Sequence, residues 1–390
     1  MVEENMRVVV DKNNPLVGEA FRQFGDVQAL ATREITKETL RDADMIIIRS
    51  ETKVTKDLLE GSKVKFVGTA TIGTDHVDLE YLKSRGIGFA SAPGSNANSV
   101  AEYFVSAVLT LAKDKGFTLS GKALGVVGVG NVGSKIVRNA RALGMNVLQN
   151  DPPLARETAD PSYLPLDKLM DADIITLHVP FTKSGSDPTY HLFDAPRIKK
   201  MKRGAILMNT ARGAVVDGDA LKDAIERKHL GGALLDVWEG EPLIDIDLMK
   251  KVDIGTSHIA GYSFDGKLAA VKMMYSAACK FFGQPEMWTP GHSLPKPTVE
   301  RIIVPPTVES PEVILRKIVC QCYDIGYDDR ALRSIADVSS EDRRWFFACL
   351  RAGYRVRREF SNTIVKLPDS LTALMEPLRT IGFRVEIGRA

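Results

Sequence analysis

The chain has 390 residues, 44% of them hydrophobic and 26% charged, with a formal net charge of +2. That length supports two or three domains with cores of their own, and so small a net charge offers no single-sign field to hold nucleic acid or an anionic membrane. No apolar run is long enough to span a bilayer, and the first residues, "MVEENMRVVVDKN", carry acids and no apolar stretch of a secretory signal, so a cytoplasmic location is expected. Cys279, Cys320, Cys322 and Cys349 lie in helix-like or apolar contexts, and Cys320 and Cys322 make C-x-C without a companion His or Cys cluster. Neither a metal site nor a disulfide framework is expected from them.

From the N-terminus, "RVVVD", "ADMIIIRS", "VKFVGTA" and "GIGFASAP" read as short strands rich in Val and Ile. Between them "PLVGEAFRQFG", "TKETLRD", "TKDLLEGS" and "LEYLKSRG" carry helical spacing, which predicts parallel strands joined by crossover helices. A longer helix, "NANSVAEYFVSAVLTLAKDKG", leads into a second series: "ALGVVGVG", "MNVLQND", "ADIITLHVP", "AILMNTA", "GGALLDVW" and "VDIGTSH". The fold class is therefore α/β, with two doubly wound, Rossmann-like parallel sheets. Residues 1–100 and 265–284 are expected as one domain, and 101–264 as a nucleotide-binding domain. Seven prolines from Pro285 to Pro311 argue against helix and interior strand, so 285–310 is expected as a connection. Residues 311–390 then read as a small α+β unit with strands at "NTIVKL" and "FRVEI".

"ALGVVGVGNVGSKIVRNARALG" places Gly128, Gly130 and Gly133 in G-x-G-x-x-G spacing between a strand and a helix. The first glycine permits the turn, the second admits a pyrophosphate close to the backbone, and the third allows close helix packing. Asn131 and Val132 open the helix whose amides face the phosphates. Asp151 ends the next strand, eighteen residues after Gly133. A carboxylate there suits the adenine ribose hydroxyls and repels a 2′-phosphate, so NAD is expected over NADP.

Ligands of open parallel sheets bind beyond the carboxyl ends of the strands. Three later strands each leave polar residues there: Arg212 after "AILMNTA", Asp236 and Glu241 along "LLDVWEGEP", and His258 after "VDIGTS". Together they suit oxidation of a 2-hydroxy acid. His258 can take the hydroxyl proton near neutral pH, Glu241 can orient its ring, and Arg212 offers a planar fork to a carboxylate. The chemistry requires no metal.

At this point the residues resemble a known family. "ADIITLHVP", "MKRGAILMNTARGAVVD", "LLDVWEGEP" and "TSHIAG" are similar to the signatures of the NAD-dependent D-2-hydroxyacid dehydrogenases, from about Arg7 to Gly283. "VGTATIGTDHVD", "SAPGSNANSVAEY" and "DIGTSHIAGYSFDGK" are most similar to members that act on a phosphorylated 2-hydroxy acid. The resemblance implies catalytic roles for Arg212, Glu241 and His258. It implies NAD contacts for Asp151, Thr210, Ala211, Arg212, Asp236 and Gly261, and substrate contacts for Ser50, Thr71 and Tyr262. Where the family commonly has a threonine, Val179 could meet NAD only through its backbone, and Ser95 and Asn150 replace common cysteines. The resemblance further implies a homodimer formed through the C-terminal unit. A phosphorylated substrate needs a second cation, for which Arg49, Lys53 and Lys267 border the substrate stretches, whereas Arg355, Arg357 and Arg358 of "YRVRREF" read as a solvated strand face. Two other readings stay open: a family member acting on D-3-phosphoglycerate, D-lactate or glyoxylate, and an NAD-sensing dimer without turnover.

Overall fold

The computed structural model describes residues 5–291 and 294–388. The outer ends of the first and last expected segments, and residues 292–293 of the proline-rich connection, lie outside the described residues. The chain divides into two compact units, one of residues 1–96 with 263–295 and the other of residues 97–262 with 296–390.

The first unit holds five strands: β1 Met6–Asp11, β2 Gly25–Leu30, β3 Met45–Ile48, β4 Phe66–Thr69 and β5 Gly88–Ala90. They are parallel and ordered β2-β1-β3-β4-β5. The inner strands β3 and β4 are fully buried, which is why they are legible as unbroken apolar runs. Strand β2, "GDVQAL", lies at an edge and is half exposed. It carries no such run, and nothing in its composition marked it. The crossovers are slighter than helical spacing suggested: Val17–Ala20, Lys56–Leu59 and Leu79–Ser84 are short helices. "TKETLRD" forms turns in place of the expected helix. Its fragment has too few residues to offset the cost of helix nucleation. The long helix Phe264–Phe282, capped by Ser263, packs Val271, Met274, Tyr275 and Ala278 into the core under β1, β3 and β4.

The second unit contains β6 Ala123–Val127, β7 Asn146–Asn150, β8 Ile174–Leu177, β9 Ile206–Asn209, β10 Gly232–Leu235 and β11 Ile254–Gly255. These too are parallel, ordered β11-β10-β9-β8-β6-β7. The order reverses between β6 and β8, the switch point at which an open α/β sheet leaves a crevice at its carboxyl edge. Helix Ala97–Lys115 is apolar almost all round and is buried along most of its length. It packs against Asn131–Ala142 and against two C-terminal helices, Pro311–Cys322 and Ile325–Arg333. A third, smaller parallel sheet joins β12 Arg301–Ile303, β13 Ile364–Leu367 and β14 Arg384–Ile387 in that order. Strand β12 forms inside the proline-rich stretch, at its edge of the sheet and in the interval between Pro297 and Pro305. No helix among the described residues is long and apolar enough to cross a membrane.

Candidate active site

The glycine loop after β6 shows three different constraints. Gly128 has φ +85°, and a Cβ there would sit 2.7 Å from the His178 carbonyl oxygen. A Cβ on Gly133 would lie 1.9 Å from the carbonyl oxygen of Gly128, so only glycine lets helix Asn131–Ala142 seat against the loop. Gly130 has an unstrained φ of −70°, and a Cβ on it would meet nothing within 4 Å. No side-chain contact within the protein requires a glycine at this second position of the motif. Close approach of a pyrophosphate to the loop backbone would. The first turn of the helix, with Asn131 and Val132, begins directly beyond it.

Asp151 ties this loop to the next element. Its Oδ2 accepts from the Val129 amide at 2.8 Å, and its Oδ1 accepts from the Leu154 amide at 3.1 Å, capping helix Pro152–Thr158. Val179, beyond β8, packs its side chain against Gly128 and the core, so its apolar side chain has no part to play toward a polar ligand. Its neighbour His178 was not singled out from the sequence. It bridges Thr176 Oγ1 at 2.8 Å and Thr210 Oγ1 at 3.2 Å through its two ring nitrogens. Burial pushes its pKa down to about 3, so the ring is neutral and fixes the Thr210 hydroxyl beside the Arg212 turn.

Arg212, Glu241 and His258 follow three neighbouring strands, β9, β10 and β11. Asn209 braces the first turn: its Oδ1 accepts from the Ala211 amide at 3.0 Å and its Nδ2 donates to the Arg212 carbonyl at 2.9 Å. The Arg212 Nη1 donates to the Ala211 carbonyl at 2.8 Å. Gly213 lets this turn press onto the next one, since a Cβ there would fall 2.1 Å from the Trp238 carbonyl oxygen.

His258 takes the left-handed conformation, φ +57°, a sparsely populated region for a non-glycine residue. Its Nδ1 is hydrogen-bonded to Glu241 Oε1, and Glu241 Oε2 accepts from the Trp238 amide at 3.1 Å. Burial alone would raise the Glu241 carboxyl. The hydrogen bond and charge of His258, the Trp238 amide and the charge of Arg351 outweigh it, and the pKa lies below the usual glutamate value.

Asp236 is only 1% exposed. Its Oδ1 accepts from Thr256 Oγ1 at 2.6 Å and from the Ile259 amide at 2.8 Å, and its Oδ2 accepts from the Ala260 amide at 3.0 Å. With Thr256 already donating to Asp236, the hydroxyl of buried Tyr103 donates to Thr256 at 2.8 Å. Burial raises the Asp236 pKa, opposed by the His258 charge and these hydrogen bonds. The carboxylate thus holds the loop carrying His258 and leading to Gly261. Tyr103 and Thr256 left no mark in the sequence, because one sits in a continuously apolar helix and the other in a strand end.

Tyr262 closes that loop. Its hydroxyl accepts from Arg351 Nη2 at 3.1 Å, and its ring meets that of Tyr354 edge-on at 5.9 Å. The "YRVRREF" stretch forms no strand, and while Arg355 and Val356 are exposed, Arg357 is not. Arg357 is 3% exposed, and its Nη2 donates to the carbonyls of Ser99 at 3.1 Å and Ala260 at 2.9 Å. Arg355 pairs with Asp328. In the first unit, Arg49 and Ser50 follow β3 and Thr71 follows β4. Thr71 Oγ1 contacts Thr69 Oγ1 at 2.8 Å and the Gly73 carbonyl at 3.1 Å, while Arg49 lies 3.8 Å from Glu51. Lys267 stands in the first turn of helix Phe264–Phe282.

Residues 96–260 match the D-isomer specific 2-hydroxyacid dehydrogenase NAD binding domain, and residues 293–382 match a domain of unknown function. An erythronate-4-phosphate dehydrogenase of Salinibacter ruber is 44% identical, over 93% of this chain and 94% of the relative. The chain belongs to the erythronate-4-phosphate dehydrogenases, within the D-2-hydroxyacid dehydrogenase family. An Escherichia coli protein of the same name is 42% identical over 97% of this chain and 98% of its own. Among solved structures, D-lactate dehydrogenase of Aquifex aeolicus, complexed with NAD and lactic acid, is 28% identical with a TM-score of 0.59. That likeness covers 71% of this chain and 95% of the neighbour. NAD is the cofactor of this family, and the loop described above fits it: an open position at Gly130, helix amides behind it and a carboxylate at Asp151.

Proposed function

We propose that this protein oxidises 4-phospho-D-erythronate to 2-oxo-3-hydroxy-4-phosphobutanoate, a step toward pyridoxal 5′-phosphate, with His258 as proton acceptor. The observation that carries the reading is the pairing of His258 Nδ1 with the half-buried carboxylate of Glu241 at adjoining strand ends of an NAD-binding unit. That bond fixes the tautomer, leaving Nε2 to accept the C2 hydroxyl proton. NAD, when bound, accepts the hydride from C2. Glu241 stabilises the imidazolium that results. Arg212 binds the substrate carboxylate and polarises the oxygen as it becomes a carbonyl.

Thr210, Ala211, Asp236 and Gly261 belong to the NAD side of the proposal, Thr210 through its hydroxyl and Asp236 by shaping the loop. Arg49, Ser50, Thr71, Tyr262 and Lys267 are proposed for the substrate, its phosphate included. The proposal extends to a cytoplasmic homodimer formed through the C-terminal segment, whose Trp345, Tyr327 and Val356 are exposed large apolar side chains.

The test is NAD reduction by purified protein with 4-phospho-D-erythronate, D-3-phosphoglycerate, D-lactate and D-glycerate, with a 2-oxo acid present in case the cofactor stays bound. Preference for the erythronate phosphate is expected. Preference for another acid would keep the chemistry and overturn the substrate, and silence with every acid despite bound NAD would favour a sensing role.

A further inference from the structure

We infer that the C-terminal segment takes part in catalysis, with Arg351 as a positioning residue that sets Tyr262 and, beyond it, the catalytic loop 258–262. This rests on the dehydrogenase reading of the site and adds to it a role for a segment whose own match is to a domain of unknown function.

Three contacts from one short stretch converge on that loop. Arg351, at the end of helix Arg343–Ala352, donates from Nη2 to the Tyr262 hydroxyl at 3.1 Å, with its guanidinium 5.7 Å from the ring centroid. Tyr354 packs edge-on against the same ring at 5.9 Å. Arg357 donates to the Ala260 carbonyl at 2.9 Å from a fully buried position. From within the sheet, Asp236 holds the Ile259 and Ala260 amides. The loop is therefore gripped from both sides, which a left-handed residue such as His258 needs if its ring is to keep one direction. The charge of Arg351 also acts on the carboxylate of Glu241. Burial raises Glu241, and the Arg351 charge adds to that of His258 in lowering it.

The contact is specific in chemistry. The guanidinium donor occupies an acceptor position of the Tyr262 oxygen and, with the ring contacts, fixes where that side chain stands. Tyr262 so held keeps one position at the end of the His258 loop, and Arg351 acts through it without needing to touch the substrate.

The test is Arg351→Gln against Arg351→Lys, with Arg344→Gln as control: Arg344 is exposed on the same helix and carries the same charge. Arg351→Gln should lower kcat/KM by about 10- to 100-fold, the worth of one charge-assisted hydrogen bond. The acid limb of its pH profile should move to higher pH, because Glu241 loses a neighbouring cation. Lysine should restore part of both effects, and the control should match the parent. Unchanged kinetics and an unchanged pH profile in Arg351→Gln, in a protein that oxidises the erythronate phosphate, would overturn the inference and leave the substrate assignment standing. A parent inactive on every acid would sink the assignment instead. A crystal structure of Arg351→Gln then still decides: a displaced Tyr262 supports the positioning role, and an unmoved Tyr262 with an unaltered loop refutes it.

Discussion

His258 donates its backbone N–H to the carbonyl of Asp236 at 2.7 Å, while the Asp236 carboxylate holds the two amides that follow His258. One buried aspartate thus sets both the entry and the exit of the turn that carries His258, the proposed proton acceptor. Asp236→Ala should destabilise the protein by roughly 3 kcal/mol, because it strands several buried donors at once. Asp236→Asn should cost less stability yet still depress kcat, since an amide cannot accept from Thr256, Ile259 and Ala260 together. Urea unfolding and steady-state kinetics on the same preparations separate the two effects.

The glycine loop makes a contrast between two alanine variants. Gly133→Ala should lower stability by about 1–3 kcal/mol, as overpacking against a rigid backbone does. Gly130→Ala should unfold with the parent's Tm, since its Cβ meets nothing in the protein, but should weaken NAD binding at least tenfold. Calorimetric titration with NAD alongside thermal melts gives both numbers. A Gly130→Ala protein that binds NAD normally would remove the cofactor from this loop.

Asp151 caps a helix, and the proposed function gives it a second role in cofactor selectivity. Asp151→Ala removes a helix cap and should cost about 1 kcal/mol of stability. It should also narrow the preference for NAD over NADP if, as proposed, that carboxylate repels a 2′-phosphate. The ratio of kcat/KM for the two cofactors reports it.

Acidification should act through His178 before the carboxylates. Its folded pKa, about 3, lies below the ordinary 6.5, so the unfolded chain binds a proton that the folded protein refuses. Stability contributed by the neutral ring is full above about pH 6.5 and is lost as pH falls toward 3, by up to roughly 1.4 kcal/mol per pH unit. Glu241, lowered from 4.5, adds a second loss below about pH 4.5. His178→Gln, which keeps hydrogen-bonding groups for Thr176 and Thr210, should flatten the stability profile between pH 6 and 4. An unchanged slope would mean that His178 protonates freely in the fold.

Much of this was legible in the sequence wherever burial is continuous. Strands β3, β4, β6, β8, β9 and β10 are hydrophobic on both faces, so they stand out as apolar runs, and residues at their carboxyl ends can be assigned to one edge of a sheet. The glycine spacing and Asp151 were readable for the same reason. Strand β2 was not, because an edge strand need not be apolar. Nor was the network behind His258. Tyr103, Thr256 and Arg357 reach Asp236 and the 260 carbonyl from across the fold, and no local pattern encodes which distant side chain will satisfy a buried polar group. The arginines of "YRVRREF" show the converse: charge suggested solvent, yet Arg357 is buried because backbone carbonyls and the Tyr323 ring, 4.2 Å from its guanidinium carbon, take the place of water.

The role of His258 is tested by His258→Asn, assayed for turnover on the preferred 2-hydroxy acid and for NAD binding in parallel. If His258 is the proton acceptor, kcat falls by about 10²- to 10⁴-fold, the usual contribution of a positioned general base, with the Kd for NAD unchanged. A variant that turns over at the parental rate, or whose loss of activity merely follows loss of NAD, would contradict His258 as the proton acceptor.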